Sequence, residues 1–438
     1  MKRLLLIFFL IMPGLAWAQN INVVTIHSEI NPSIGFWSGN GTARMQMASD
    51  GTIYIQYGEE PANKERYAYS TDDGATWSYS DSISGSELYA RATAQFNCSV
   101  ILQDTLYVFW CSNESQIYIH KIYQGTEYNQ GVWIDSCSSC SGVSMNYTGI
   151  SGTPFVYVGD TTSTNKAFYR TSDRIVVGMS VTQGGTFGVG SSANVMATPA
   201  ANGVIIIQTT GAAADLWFLD TDNTVTGSTN FLGNNLILND VTVNCSMVAR
   251  SKTDSSFYVV YARDDATGLV LLRGHINSSS QAYVFDDSIG WSVSAPTNAG
   301  TALYLRNPAI SIRSNGDIYI YYKEWADTTD FDNHAIKYVV STDQANSVGA
   351  ATIVRAATGS DSIYYLTAPP YLADQSPEIT ACSYRRGPGA ASGATIEMFS
   401  DTLGGGEPPA YDVPDFIQGP AGGGFIQSKS GSAYIQKK

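Results

Sequence analysis

The sequence predicts an all-β fold, a β-propeller with seven blades, on three observations. Charged residues make up only 14% of the 438 positions while aromatics reach 12%, 27 of them tyrosine; such a composition suits short half-buried strands and rules out long charged helices. One pattern then recurs along the chain: a small-residue strand, a tight turn, an aromatic and β-branched strand, a variable loop and a third strand. The copies follow one another at about 50 to 60 residues, the length of a four-stranded blade.

Read from its first residue, the chain opens with Lys2 and Arg3, an apolar run over residues 4–12, then Pro13, Gly14 and the small-residue site Ala16, Trp17, Ala18. This is the pattern of a secretory signal peptide, residues 1–18, with the mature chain beginning at Gln19. The apolar run is about half the 20 residues needed to span a bilayer, and no later stretch is apolar for long enough. A secreted or periplasmic protein is expected.

The clearest copies of the repeat occupy residues 42–80 and 306–346, which align turn for turn. Weaker copies begin near Ala90, Val143, Ala193, Val243 and Tyr371, each with the apolar alternation of half-buried strands. The last copy, with strands near 378–385 and 394–400, is one strand short, and the N-terminal segment 21–29 (INVVTIHSE) is placed to supply it. Such a closure removes open sheet edges. Six blades with an irregular extra hairpin is the alternative count. The propeller is therefore expected over 19–402, and the Gly/Pro-rich residues 403–438 read as linker and tail.

An oxidising compartment permits disulfides. Cys98 and Cys111 lie symmetrically about a turn near Asp104 and Thr105, where antiparallel strands bring them face to face, so a bridge between them is expected. Cys137 and Cys140 form a C-x-x-C among Ser and Gly in a loop, which fits a local staple better than a redox or zinc site. Cys245 and Cys382 have no assignable partner.

The net charge of −14, with 24 Lys and Arg against 38 Asp and Glu, and the absence of a basic cluster exclude nucleic acid as a partner and disfavour an acidic membrane surface. No G-x-S-x-G elbow, H-E-x-x-H helix, phosphate loop or nucleotide fingerprint occurs. The four histidines, His27, His120, His275 and His334, show no metal-ligand spacing, and 220–223 lacks the Gly and Glu of a calcium loop. Neither a metal nor a cofactor is expected.

Blade topology selects the face for a site. Each inner strand starts on the face where second-to-third-strand loops emerge, which puts Arg44, Arg91 and Arg306 beside loop residues such as Glu60, Glu324, Asp332 and His334 on one rim. A guanidinium fork grips a carboxylate through parallel hydrogen bonds, so this rim suits an acidic sugar.

Ser70, Asp72, Gly74, Thr76 and Trp77 form S-x-D-x-G-x-T-W, which matches at every defined position the Asp-box of sialidase-like (BNR-repeat) propellers. The motif is a hairpin turn in which the Asp caps amides, the Gly takes a positive φ and the Trp packs between blades. Degenerate copies stand at 341–343 and, more weakly, at 171–173. Arg306, Asn307, Pro308 and Ala309 also resemble the family's Arg-x-Pro at the start of an inner strand, although here it falls in the sixth blade. The resemblance implies that Arg306 holds a sugar carboxylate and that Asp332, nine residues before Ser341, is the acid/base. Glu324 is the candidate second carboxylate of a glycosidase pair, and Arg44, Arg91 and His334 are candidate substrate contacts.

Three functions follow. The first is a sialidase-like exo-glycosidase acting on a terminal acidic sugar. The alternative is a noncatalytic carbohydrate-binding or adhesive propeller, and a third is a uronic-acid polysaccharide lyase using His334 or a rim tyrosine. A carbohydrate or glycoconjugate is the partner in each.

Overall fold

The fold was read from a computed structural model, which describes residues 22–30, 45–59, 64–79, 98–102, 104–112, 116–123, 126–134, 140–147, 154–160, 166–170, 194–200, 203–210, 213–220, 236–238, 241–249, 256–263, 268–276, 283–294, 308–313, 315–325, 334–356, 362–372, 380–386, 394–401, 426–427 and 433–434. These are all-β, with no helix among the described residues.

Strands β1 (Asn22–Ile30), β2 (Met45–Met47), β3 (Ile53–Glu59), β4 (Lys64–Ser70) and β5 (Ser78–Tyr79) come first. Next are β6 (Cys98–Leu102), β7 (Thr105–Ser112), β8 (Gln116–Tyr123) and β9 (Thr126–Ile134), which pair in that order as an antiparallel sheet. The sheet of β10 (Cys140–Tyr147), β11 (Pro154–Asp160) and β12 (Lys166–Arg170) has three strands. Four-stranded meanders follow: β13 (Asn194–Ala200), β14 (Gly203–Thr210), β15 (Ala213–Asp220) and β16 (Leu236–Leu238), then β17 (Val241–Ala249), β18 (Ser256–Arg263), β19 (Gly268–Ile276) and β20 (Tyr283–Ser292). A further sheet holds β21 (Ala309–Arg313), β22 (Ile318–Trp325), β23 (His334–Ser341) and β24 (Thr352–Arg355). The last strands of this series are β25 (Ser362–Thr367), β26 (Tyr371–Leu372), β27 (Thr380–Arg386) and β28 (Ala394–Ser400), and a short hairpin pairs β29 (Ile426–Gln427) with β30 (Ala433–Tyr434).

The first strands of successive sheets lie side by side, β2 by β6, then β10, β13, β17 and β21, and β26 touches both β21 and β2. The succession therefore returns to its starting strand. β1 pairs along β28, from Asn22 opposite Ser400 to Ile30 opposite Ala394, and meets β3 where Ile30 faces Glu59.

Apolar clusters fill the spaces between neighbouring sheets. Tyr258, Val260, Leu269 and Leu271 of β18 and β19 pack on Ile310, Ile318 and Ile320 of β21 and β22. Tyr319 and Tyr321, on the other face of β22, join Leu366 and Phe399 in a separate cluster. Both faces of β22 are thus covered, which explains the unbroken apolar run IYIYY where a half-exposed strand would alternate. On the N-terminal side, Ile26 of β1 packs with Met45, Ile53, Ile396 and Met398.

Two expectations shift. The last copy begins at β25, before Tyr371. Pro369 and Pro370 have no N–H to continue the ladder with β27, and the chain changes partner: Ile312 N–H donates to the Pro370 carbonyl at 2.9 Å, the Ser311 hydroxyl donates to the Pro369 carbonyl at 2.6 Å, and β26 runs parallel to β21. The β6–β7 turn pairs Leu102 with Thr105, so Cys98 stands opposite Phe109 and not Cys111. The side chains of both cysteines lie outside the described residues, as does Cys137; Cys140 starts β10.

Candidate functional site

Third strands β4 and β23 each end in a turn of Asp-box spacing, at one end of their sheets. Ser70 closes β4, its hydroxyl donates to Asp72 Oδ1 at 2.8 Å and it accepts the Gly74 N–H at 2.8 Å. Asp72 in turn accepts the Thr76 N–H at 2.8 Å and the Thr76 hydroxyl at 2.6 Å, and Trp77 Nε1–H donates to the Gly74 carbonyl at 3.1 Å. Gly74 has φ +88°, and a Cβ there would lie 2.4 Å from Met398 Sδ.

Burial by itself pushes the Asp72 carboxyl up, but the Thr76 hydroxyl and amide and the Ser70 hydroxyl outweigh it and hold the group below its ordinary 3.8. Asp73 moves the other way, raised by burial and then by the charge of Asp72.

The copy after β23 extends well past Asp343. The Ser341 hydroxyl donates to Asp343 Oδ1 at 2.9 Å and accepts the Ala345 N–H at 2.9 Å, and the Ser347 N–H donates to Asp343 Oδ1 at 2.9 Å. The Ser and Asp bonds are those of the first box, with Ala345 at φ 65° in the place of Gly74, Ser347 in the place of Thr76 and Val348 where Trp77 would donate its indole N–H. Hydrogen bonds from the Ser347 hydroxyl and amide lower the Asp343 carboxyl. A spacing of S-x-D-x-A-x-S in the sequence carried this signal. Neighbouring sheets are also tied at this end: the Ser49 N–H donates to Asp104 at 2.9 Å, and Arg273 Nη1 donates to the Gln344 carbonyl at 3.0 Å.

The residues expected on the rim precede first strands or flank the β22–β23 connection in sequence. Arg306 lies three residues ahead of β21 in sequence, and Arg44 immediately ahead of β2. Arg306, Arg44, Arg91 and Asp332 lie outside the described residues. Glu324 and His334 are described. Glu324 stands opposite Ala335 in the β22–β23 ladder, so Lys337 is its diagonal neighbour on the same face, and the two form an ion pair. His334, expected on the rim as a substrate contact, is 3% exposed. Its ring lies 5.0 Å from that of Trp325, its opposite number in the ladder. Lys323, on the same strand face as Trp325, puts its ammonium 5.4 Å from the indole centroid, and Trp325 N–H donates to the Ser294 carbonyl at 3.0 Å. The Glu324 partner and this aromatic and cationic cluster escape sequence reasoning because they depend on the strand register. Among the described residues, no group of three His, Cys, Asp or Glu is placed to hold a metal ion.

No protein-family model matches the chain, and no curated protein matches it by sequence. Solved structures similar to it include an Aleuria aurantia lectin in complex with Fucalpha1-6GlcNAc (12% identity, 90% of this chain and 100% of that one, TM-score 0.38). Others are the endosialidase of phage phi92 (11%, 95% and 74%, TM-score 0.41) and the WD40 domain of Toxoplasma gondii coronin (10%, 88% and 87%, TM-score 0.41).

Proposed function

We propose that the chain is an exported seven-bladed β-propeller, its last blade completed by β1, that recognises a terminal acidic sugar on a glycan without cleaving it. The ring-like succession of first strands and the pairing of β1 with β28 support the architecture. Two turns with the hydrogen bonds of the Asp-box support the likeness to sialidase-like propellers, and in those proteins the motif is structural.

The observation that carries the noncatalytic reading is the ion pair of Glu324. With Asp332 as the acid, a glycosidase needs a second carboxylate free to act as nucleophile or base toward the sugar. Glu324, the candidate for that role, has its Oε2 engaged by Lys337. Arg306, leading into β21, is assigned to grip the ligand carboxylate, where a bidentate fork outperforms a lysine.

The test is retention of mature protein on immobilised sialosides and uronic-acid glycans, beside Arg306→Lys. Binding of the wild type to an acidic glycan, weakened at least about tenfold in the variant, is the expected result. Equal binding by both proteins, or none by the wild type across acidic glycans, overturns the proposal.

A further inference from the structure

The tail contains a repeat that the propeller reading does not use. Residues 416–418 are Phe-Ile-Gln, 425–427 are Phe-Ile-Gln and 434–436 are Tyr-Ile-Gln, three aromatic-Ile-Gln triplets at a strict spacing of nine. The residues between them are GPAGGG and SKSGSA. Aromatic and β-branched residues in adjacent positions favour strands, whereas Gly and Ser linkers are flexible and carry no structure of their own. The sequence of the tail is therefore three short strand-forming triplets separated by Gly- and Ser-rich spacers.

The backbone agrees. β29 lies in the second triplet and β30 overlaps the third, and they pair antiparallel, with Ile426 opposite Tyr434 and Gln427 opposite Ala433. This pair is a sheet of two strands, with no third strand joined to it among the described residues. A lone two-stranded hairpin is marginal in water and needs further strands to persist, and its two edges present unpaired N–H and C=O groups that template another strand.

We propose that these triplets are homotypic strand-pairing elements through which copies of this chain associate. The case for a second copy rests on self-complementarity: within this chain Ile426 and Gln427 of the second triplet pair with Ala433 and Tyr434, where the third triplet begins, and every further copy brings three more triplets. Residues 416–438 carry three lysines, Lys429, Lys437 and Lys438, and no acidic residue. The lysines stand outside the triplets, so they leave the strands uncharged, but they make tails repel one another at low salt. Association of tails then strengthens as salt screens that repulsion, while docking of a basic tail on an acidic surface weakens under the same change. For a binding protein the consequence is avidity, since linked sites raise effective affinity by about 10² to 10⁴ without any new contact to ligand. The inference does not depend on which ligand, if any, the propeller binds.

The experiment compares the full mature chain with a variant carrying Ile417→Asp, Ile426→Asp and Ile435→Asp, by light scattering after size exclusion at low and high salt. Ile426 lies in the two-stranded pair and not in the larger sheets, and unchanged thermal unfolding of the variant confirms that the fold is intact. In a second arm, a labelled synthetic peptide of residues 416–438 is titrated into the full chain and followed by anisotropy. The expected result is a dimer or larger species for the wild type, at least twice the monomer mass and growing with salt, with a monomeric variant, and peptide bound by the wild type but at least tenfold more weakly by the variant. Monomeric wild type at every salt concentration without peptide binding, or association that survives the three substitutions or falls as salt rises, overturns it.

Discussion

At Gly74 the backbone sits at φ +88° with the Met398 side chain in the space a Cβ would enter. Gly74→Ala combines left-handed strain with a displaced buried methionine, and we expect it to lower stability by about 1–3 kcal/mol in urea unfolding. Ala345 already tolerates φ 65° inside a core cluster. Ala345→Gly should change stability by less than about 1 kcal/mol, because relief of strain offsets the lost methyl and the freer unfolded chain. The same turns make a pH prediction. The carboxyls of Asp72 and Asp343 lie below their ordinary 3.8, so the stability they contribute is full above 3.8 and is lost as pH falls through their folded values. Asp73 has the opposite sign: its raised carboxyl costs stability once ionised. Asp73→Asn, which keeps a side chain tolerant of its φ of 56°, should raise the midpoint of urea unfolding at pH 7 and lose that gain near pH 3. The first box was legible residue by residue because all its bonds are local. The second was legible only to Asp343, since alanine at a left-handed position breaks the rule that glycine belongs there.

Between elements, the contact the sequence hides is the ion pair of Arg355 on β24 and Glu397 on β28, where Nε lies 2.6 Å from Oε2 and both side chains are 8% exposed or less. The residues are 42 positions apart and belong to different sheets. Removing one partner leaves a buried charge, so Glu397→Ala should cost about 3–5 kcal/mol, while the double change Arg355→Met with Glu397→Leu should cost far less. A double-mutant cycle by chemical unfolding reads the difference. The N-terminal strand was legible as a strand, and so was the sheet end it would join, because its apolar alternation is strong and β28 otherwise has an open edge. The partner change at Pro369 and Pro370, between β25 and β26, was not, since proline forbids a ladder bond without saying where the chain goes next. Deleting residues 19–30 exposes β28, and the shortened protein is expected to unfold at lower temperature and aggregate, with partial rescue by a peptide of residues 22–30. Unchanged melting would mean that β1 is dispensable to that sheet.

For the whole molecule, the repeat spacing and sparse charge made the all-β class legible before any coordinates, because strand periodicity and turn chemistry are written in neighbouring residues. The side-chain partners at the proposed site were less legible. Which charges meet there depends on register across strands and on loops from several sheets, as the Glu324 and Lys337 pair illustrates. The central claim is recognition without turnover, and product analysis addresses it most directly. Mature protein is incubated with sialosides and uronic-acid polysaccharides, and the mixtures are resolved by mass spectrometry and ultraviolet absorbance. The account predicts intact substrates at every time point together with binding to at least one acidic glycan. Released sugar or unsaturated fragments that disappear in Asp332→Ala would contradict it and make the rim a catalytic site.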